Sequence, residues 1–165
     1  DDFLRTSVPH IWAAGDVAGG YKFTHVAYEQ GRLVAHNAFA ARARRFDASV
    51  VPWVTYTSPE LAHVGRTEAE LREAGVSFRV GVKPMDGIER AVLMGQPDGM
   101  VKLLVGNDGT ILGGHILGVS AGELIAPVAL AMRAGLKAAD LAETILPYPT
   151  VAEGVRWAAE EALKA

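Results

Sequence analysis

The chain has 165 residues, 50% of them hydrophobic, with 16 basic against 19 acidic side chains and a formal net charge of −3. That length suits one domain, or one domain and a piece of another, with ample apolar material for a core. No basic block is present to serve as a nucleic-acid footprint, the longest apolar stretch, 124–132, is far too short to cross a bilayer, and the lack of cysteine removes disulfides, thiolate metal sites and cysteine nucleophiles from these residues.

Neither nucleic acid nor membrane is therefore expected as a partner, and no metal site is assigned. A cysteine-free chain with no signal segment fits a reducing compartment, so a cytoplasmic location is expected. The opening Asp1-Asp2-Phe3 reads as the interior of a longer sequence.

In chain order, residues 11–14 (Ile-Trp-Ala-Ala) form a short apolar run that stops at Gly15-Asp16. An apolar run without alternation suits a strand of a parallel sheet covered on both faces. A glycine-containing loop follows, then a helix over 24–41, with Thr24 as its N-cap and Ala27, Leu33, Val34, Ala38 and Ala41 on one face. Arg42, Arg44 and Arg45 suit the negative end of its dipole. One strand and one helix cannot make a domain, so 1–45 reads as the last pieces of a larger α/β unit and 46–51 as a linker.

Residues 52–165 read as an α+β domain, an antiparallel sheet flanked by helices. Strands are predicted over 51–57, 77–83, 100–105 and 110–117, the last two joined by Asn107-Asp108-Gly109, a strong hairpin signal between apolar runs. Three capping boxes, Thr67 with Glu70, Ser120 with Glu123 and Thr150 with Glu153, open helices predicted to run to Ala74, to near Gly135 and to about Lys164. A further short helix is predicted over 138–144.

Three places carry chemistry. Asp16, after a strand at the carboxyl end of a sheet, stands where open α/β folds bind ligands, and its carboxylate accepts from sugar or ribityl hydroxyls. A loop aspartate that only turns the chain has the same spacing. The helix start at Thr24, His25, Val26 and Ala27 offers N–H groups and a positive dipole end to an anion, as any helix start does. At Tyr148-Pro149-Thr150 followed by Glu153, the capping box accounts for Glu153, and Tyr148, between two prolines, can plug an interface. His115 is read as a packing residue.

The strings IWAAGDV, FTHVAYEQG, VPWVTYTSPELAHVG, GHILGVSAGELI and PYPTVAE occur in this order and span nearly the whole chain. Together they resemble the C-terminal third of a class I pyridine nucleotide-disulfide oxidoreductase, the family of dihydrolipoamide dehydrogenase, glutathione reductase and mercuric reductase. The resemblance implies that Gly15 and Asp16 match the second FAD motif, with Asp16 on the ribityl chain, and that the helix start at Thr24, His25, Val26 and Ala27 lies beneath the flavin ring. It implies a homodimer formed through 52–165, and an NAD(P)H site and redox cysteines on segments outside this sequence. The fragment alone is then expected to be inactive.

The resemblance also implies that Tyr148 and Glu153 serve the active site of the other subunit. Disulfide-reducing members have His-Pro-Thr-x-x-Glu at this motif. Here the histidine is replaced by Tyr148, whose phenol, with an ordinary pKa of about 10, is a poor base near neutrality. Tyrosine at this point is similar to mercuric reductases, in which NADPH reduces flavin, flavin reduces a cysteine pair, and the pair reduces Hg(II). Two departures are visible: Pro149 follows the tyrosine, and no terminal cysteine pair is present. Dihydrolipoamide dehydrogenase, or another disulfide or quinone reductase, is the alternative within the family. The alternative outside catalysis is a dimerisation module that buries strands 100–105 and 110–117 and helix 120–134 against its own copy. A cis peptide at Tyr148–Pro149 is a further implication of the resemblance.

Overall fold

Polar clamps shape one part of the chain and an apolar core the other. The computed structural model describes residues 1–165 and divides into two units, Asp1–Ser49 and Val50–Ala165. In the first unit a 3-10 turn, Gly15–Ala18, precedes helix α1, Thr24–Phe39. Gly15 sits at φ +77°, a conformation that favours glycine, and a Cβ there would meet the Ala27 side chain at 3.2 Å.

Sequence reading went astray here in three ways. Residues 11–14 form no strand: a single bridge pairs Arg5 with Trp12, and Ile11 is exposed. A parallel strand is defined by its neighbours, and this unit contains none to pair with it. Phe23, not Thr24, is the N-cap, and it caps with no side-chain bond. The buried side of α1 is not the expected alanine and leucine face. It carries Val26, Gln30 and Asn37, while Ala38 and Ala41 are exposed and Ala41 lies beyond the helix. Both buried amides are occupied: the Gly15 N–H donates to Gln30 Oε1 at 2.7 Å, and the Asn37 side chain meets the carbonyls of Phe3 and Arg44 at 3.1 and 2.8 Å.

The second unit has β1 (Trp53–Thr55), β2 (Glu60–Gly65), α2 (Glu68–Glu73), β3 (Phe78–Pro84), α3 (Glu89–Leu93), β4 (Met100–Gly106), β5 (Ile111–Gly118), α4 (Ala121–Ala134), α5 (Ala138–Glu143) and α6 (Glu153–Lys164). The strands form one antiparallel sheet in the order β1-β2-β5-β4-β3. This is the predicted α+β class, with β1 shorter than the predicted 51–57. The Asn107-Asp108-Gly109 hairpin joins β4 to β5 as predicted, and Thr67 with Glu70 makes a complete capping box on α2.

Helix α4 lies on β1, β2 and β5, α6 lies on β3 and β4, and α5 packs beside α6. Between helices and sheet, Ala62, Val64, Val101, Leu103, Ile116, Leu124, Ile125, Val128, Val155 and Ala158 form a continuous core. Gly81 lets α6 approach β3, since a Cβ there would run into the Ala158 carbonyl. One face of strands 100–105 and 110–117 and one side of helix 120–134 contribute to this chain's own core.

The other two capping boxes are not made. Ser120 takes a left-handed conformation, φ 57°, and gives no side-chain cap to α4. A carboxylate from another strand does the work instead, Glu60 Oε2 accepting from the Gly122 N–H at 2.9 Å. At α6 only half the box forms: Glu153 accepts from the Thr150 N–H at 3.1 Å, while the Thr150 hydroxyl donates to the Pro147 carbonyl at 2.8 Å. The helix begins at Glu153 itself, two residues later than a box requires.

Candidate functional site

In the first unit, Asp16 projects from the exposed 3-10 turn, and Gly15 beneath it is buried. Thr24 and His25 are exposed at the start of α1, Val26 is buried and Ala27 half-buried. No side chain caps this helix start, and the first backbone bond back along it runs from the Ala27 N–H to the Phe23 carbonyl at 2.9 Å. His25 stacks on Phe23 with ring centroids 5.4 Å apart, and Phe23 in turn stacks on Tyr21 at 6.2 Å. The unit thus presents an acceptor-only carboxylate and a helix N-terminus without a side-chain cap. Gln30, missed by sequence reading, fixes the turn that carries Asp16. A polar residue on the inner face of a helix is the one signal that would have pointed to it.

In the second unit, Tyr148 lies in the segment between α5 and α6 and is 67% exposed. The Tyr148–Pro149 bond is cis, as the resemblance implied, and Ser58–Pro59 is cis as well. The Tyr148 hydroxyl donates to the carboxylate of Glu89, the first residue of α3. That bond, with smaller contributions from desolvation and from the charges of Glu89 and Glu153, raises the phenol above its ordinary range. Tyr148 is therefore a neutral hydrogen-bonding group near neutrality. Glu153 is close enough to act on it electrostatically but spends its hydrogen bond on the Thr150 N–H. The carboxylate that holds Tyr148, Glu89, is 59 positions away, and no local spacing could reveal it.

His115, expected to be a packing residue, has a defined partner. It faces His63 across β2 and β5, with Nδ1 atoms 3.1 Å apart. Desolvation, then the charges of His63 and Lys102, push His115 down to about 4, and desolvation likewise lowers His63.

A five-stranded antiparallel sheet flanked by helices, preceded by a turn-and-helix unit with an exposed aspartate, defines a domain of the α+β class. Residues 51–159 match the pyridine nucleotide-disulphide oxidoreductase dimerisation domain, and residues 1–31 match the pyridine nucleotide-disulphide oxidoreductase domain. The chain belongs to the pyridine nucleotide-disulfide oxidoreductase family.

It is 41% identical over 161 residues to mercuric reductase of Streptomyces lividans, covering 97% of this chain and 34% of that protein. To dihydrolipoyl dehydrogenase of Haemophilus influenzae it is 39% identical, with the same two coverages, 97% and 34%. Among solved structures, the HOCl-induced flavoprotein disulfide reductase RclA from Escherichia coli superposes with a TM-score of 0.88 at 34% identity, over 94% of this chain and 36% of that one. The chain spans about a third of the length of these relatives. No helix is long and apolar enough to cross a membrane.

Proposed function

We propose that these residues are the interface portion of an FAD- and NAD(P)H-dependent oxidoreductase that works as a homodimer and is most like a mercuric reductase. In it, Tyr148 and Glu153 stand at the active site of the other subunit. The observation that carries this reading is Tyr148. It is held by Glu89, kept protonated, and 67% exposed at the surface of its own unit. A large aromatic residue fixed in that way is placed to meet something outside the chain. Ile145, 92% exposed three residues earlier, extends the same surface.

The donor set of the first unit fits a flavin dinucleotide. Asp16 would accept from its ribityl hydroxyls, and the start of α1 at Thr24, His25, Val26 and Ala27 would face its ring with backbone N–H groups and the positive dipole end. When bound, FAD would supply hydride and electron transfer between NAD(P)H and a cysteine pair elsewhere in the enzyme. The phenol of Tyr148 would donate a hydrogen bond or lie against a bound metal-ion substrate, and it would not act as a base. This favours Hg(II) over the disulfide substrates that a histidine base serves. The similarity to both mercuric reductases and dihydrolipoyl dehydrogenases keeps the disulfide-reductase reading as the second one.

The test is fusion of this chain to the preceding two-thirds of the Streptomyces lividans mercuric reductase. The fusion should be a dimer by light scattering, show flavin absorbance, and turn over Hg(II) with NADPH. Tyr148→Phe should depress that turnover while leaving flavin content intact. Lipoamide turnover without Hg(II) turnover would select the second reading. Equal Hg(II) turnover by the Tyr148→Phe variant would remove Tyr148 from the site.

A further inference from the structure

On the face of the sheet turned away from α4 and α6, register partners place Val82, Lys102, His115, His63 and Trp53 in one row across all five strands. At its centre the Nδ1 atoms of His63 and His115 are 3.1 Å apart. Both outer ring nitrogens are already committed to backbone carbonyls. His63 Nε2 is 2.9 Å from the Gly65 oxygen, and His115 Nε2 is 3.2 Å from the Arg66 oxygen.

A carbonyl oxygen only accepts, so each Nε2 carries the hydrogen. In a neutral imidazole that leaves Nδ1 as a bare acceptor. Two lone pairs therefore converge with no hydrogen between them, an arrangement that repels itself unless a cation takes the vertex. A proton is the weaker candidate near neutrality, because burial disfavours the charged form of both rings.

The geometry suits a larger cation. With imidazole nitrogens about 2.0–2.1 Å from an ion of zinc size, a 3.1 Å separation subtends roughly 100° at that ion. This is the angle between neighbouring ligands in a tetrahedral or tetragonal shell. The rings are held in advance: Trp53 stacks on His63 with centroids 4.9 Å apart, and an outer N–H given to a backbone carbonyl is the usual support of a ligating histidine. Lys102, the lysine whose charge acts on His115, is paired with Glu68 at 3.0 Å. The carboxylates of Glu68 and Glu70 act favourably on His115 and His63, respectively.

We propose that His63 and His115 form a two-nitrogen site for a divalent transition-metal ion of the imidazole-preferring class. Copper(II) binds most tightly and zinc(II) less so, following the general affinity order. No third histidine or carboxylate completes a protein cluster, so water fills the remaining positions and the site is one of exchange rather than of structural closure. This site is independent of Tyr148 and of the proposed reaction.

The whole chain is titrated with copper(II) at neutral pH and followed by electron paramagnetic resonance. One equivalent with a two-nitrogen splitting pattern is expected. His63→Gln and His115→Gln should each lose that pattern, and acidification of the unaltered chain should release the ion as the imidazoles protonate. His10, His25 and His36 remain in every variant, so a copper signal unchanged in both variants overturns the proposal. Because substitution on a strand can loosen the sheet, imidazole nitrogen NMR of the unaltered chain with zinc(II) gives a second reading. Movement of both Nδ1 resonances with both Nε2 still protonated supports the site. A proton shared between the Nδ1 atoms, undisturbed by zinc(II), overturns it.

Discussion

The two units are held by different physics. Val50–Ala165 buries Leu71, Met85, Ile88, Leu103, Leu104 and Ile116 completely, between a sheet and its helices. Asp1–Ser49 buries only Leu4 and Val26 among its hydrophobic residues, and its other buried long side chains are the amides of Gln30 and Asn37. An apolar core supplies stability in proportion to area removed from water. An amide clamp supplies little net energy, but leaves an expensive orphan if it is broken. The second unit therefore carries the free energy of folding, and the first carries shape: a turn and a helix start fixed by directional bonds where the candidate ligand groups lie.

The largest expected effect tests the apolar side of that contrast. Leu103→Ala, at a fully buried position of β4, should cost about 2–5 kcal/mol in urea unfolding, through lost transfer energy and a residual cavity. A cost well below that range would mean that α4 and α6 close over the gap and that the core is less rigid than its packing implies. The polar side is tested by Asn37→Ala. It removes the bonds to the Phe3 and Arg44 carbonyls and the one received from the Arg44 N–H at 2.8 Å. The expected loss is about 1–3 kcal/mol, read as faster amide exchange within 1–49. The urea midpoint of the second unit should stay in place. If that midpoint falls with the variant, the two units are not separately held.

The same contrast explains what the sequence made legible. Signals that act over a few residues came through: the Asp108-Gly109 hairpin, the Thr67–Glu70 box, the helical period of 121–134. These are turn and cap preferences whose energy is local. The misreadings share a different origin. Ser120 and Glu123 have the right letters for a box, but the cap comes from Glu60 on another strand. Tyr148 takes its hydrogen-bonding carboxylate, Glu89, from α3. His63 and His115 meet only because the register of β2 on β5 makes them opposite. In each case the partner is chosen by tertiary register, which no window of sequence contains. In α1 the error was of sign: the inner face was sought as apolar, and it is polar because its task is to hold backbone groups of a loop.

The smallest effect expected separates a polar clamp on a strong core from one that stands alone. Thr67 accepts from the Glu70 N–H at 3.3 Å, and the Glu70 carboxylate accepts from the Thr67 N–H at 2.8 Å and from its hydroxyl at 2.9 Å. The bond from the Thr67 N–H, then that from its hydroxyl, hold Glu70 below its ordinary range. A carboxyl depressed in the folded state binds protons more readily when unfolded, so it adds stability above the ordinary glutamate pKa and loses it as pH falls through the folded value. Loss of the Thr67 N-cap in Thr67→Ala should cost about 1 kcal/mol at neutral pH and should flatten the acid limb of the stability curve, since Glu70 then titrates closer to its unfolded value. Asn37→Ala has no core behind it and should open its unit, whereas Thr67→Ala should leave α2 in place, because Leu71 anchors the helix by complete burial. Urea midpoints of the chain and of Thr67→Ala, measured from neutral to acid pH, decide the matter. Two curves that remain parallel into the acid range would show that the carboxylate gains nothing from the Thr67 hydroxyl.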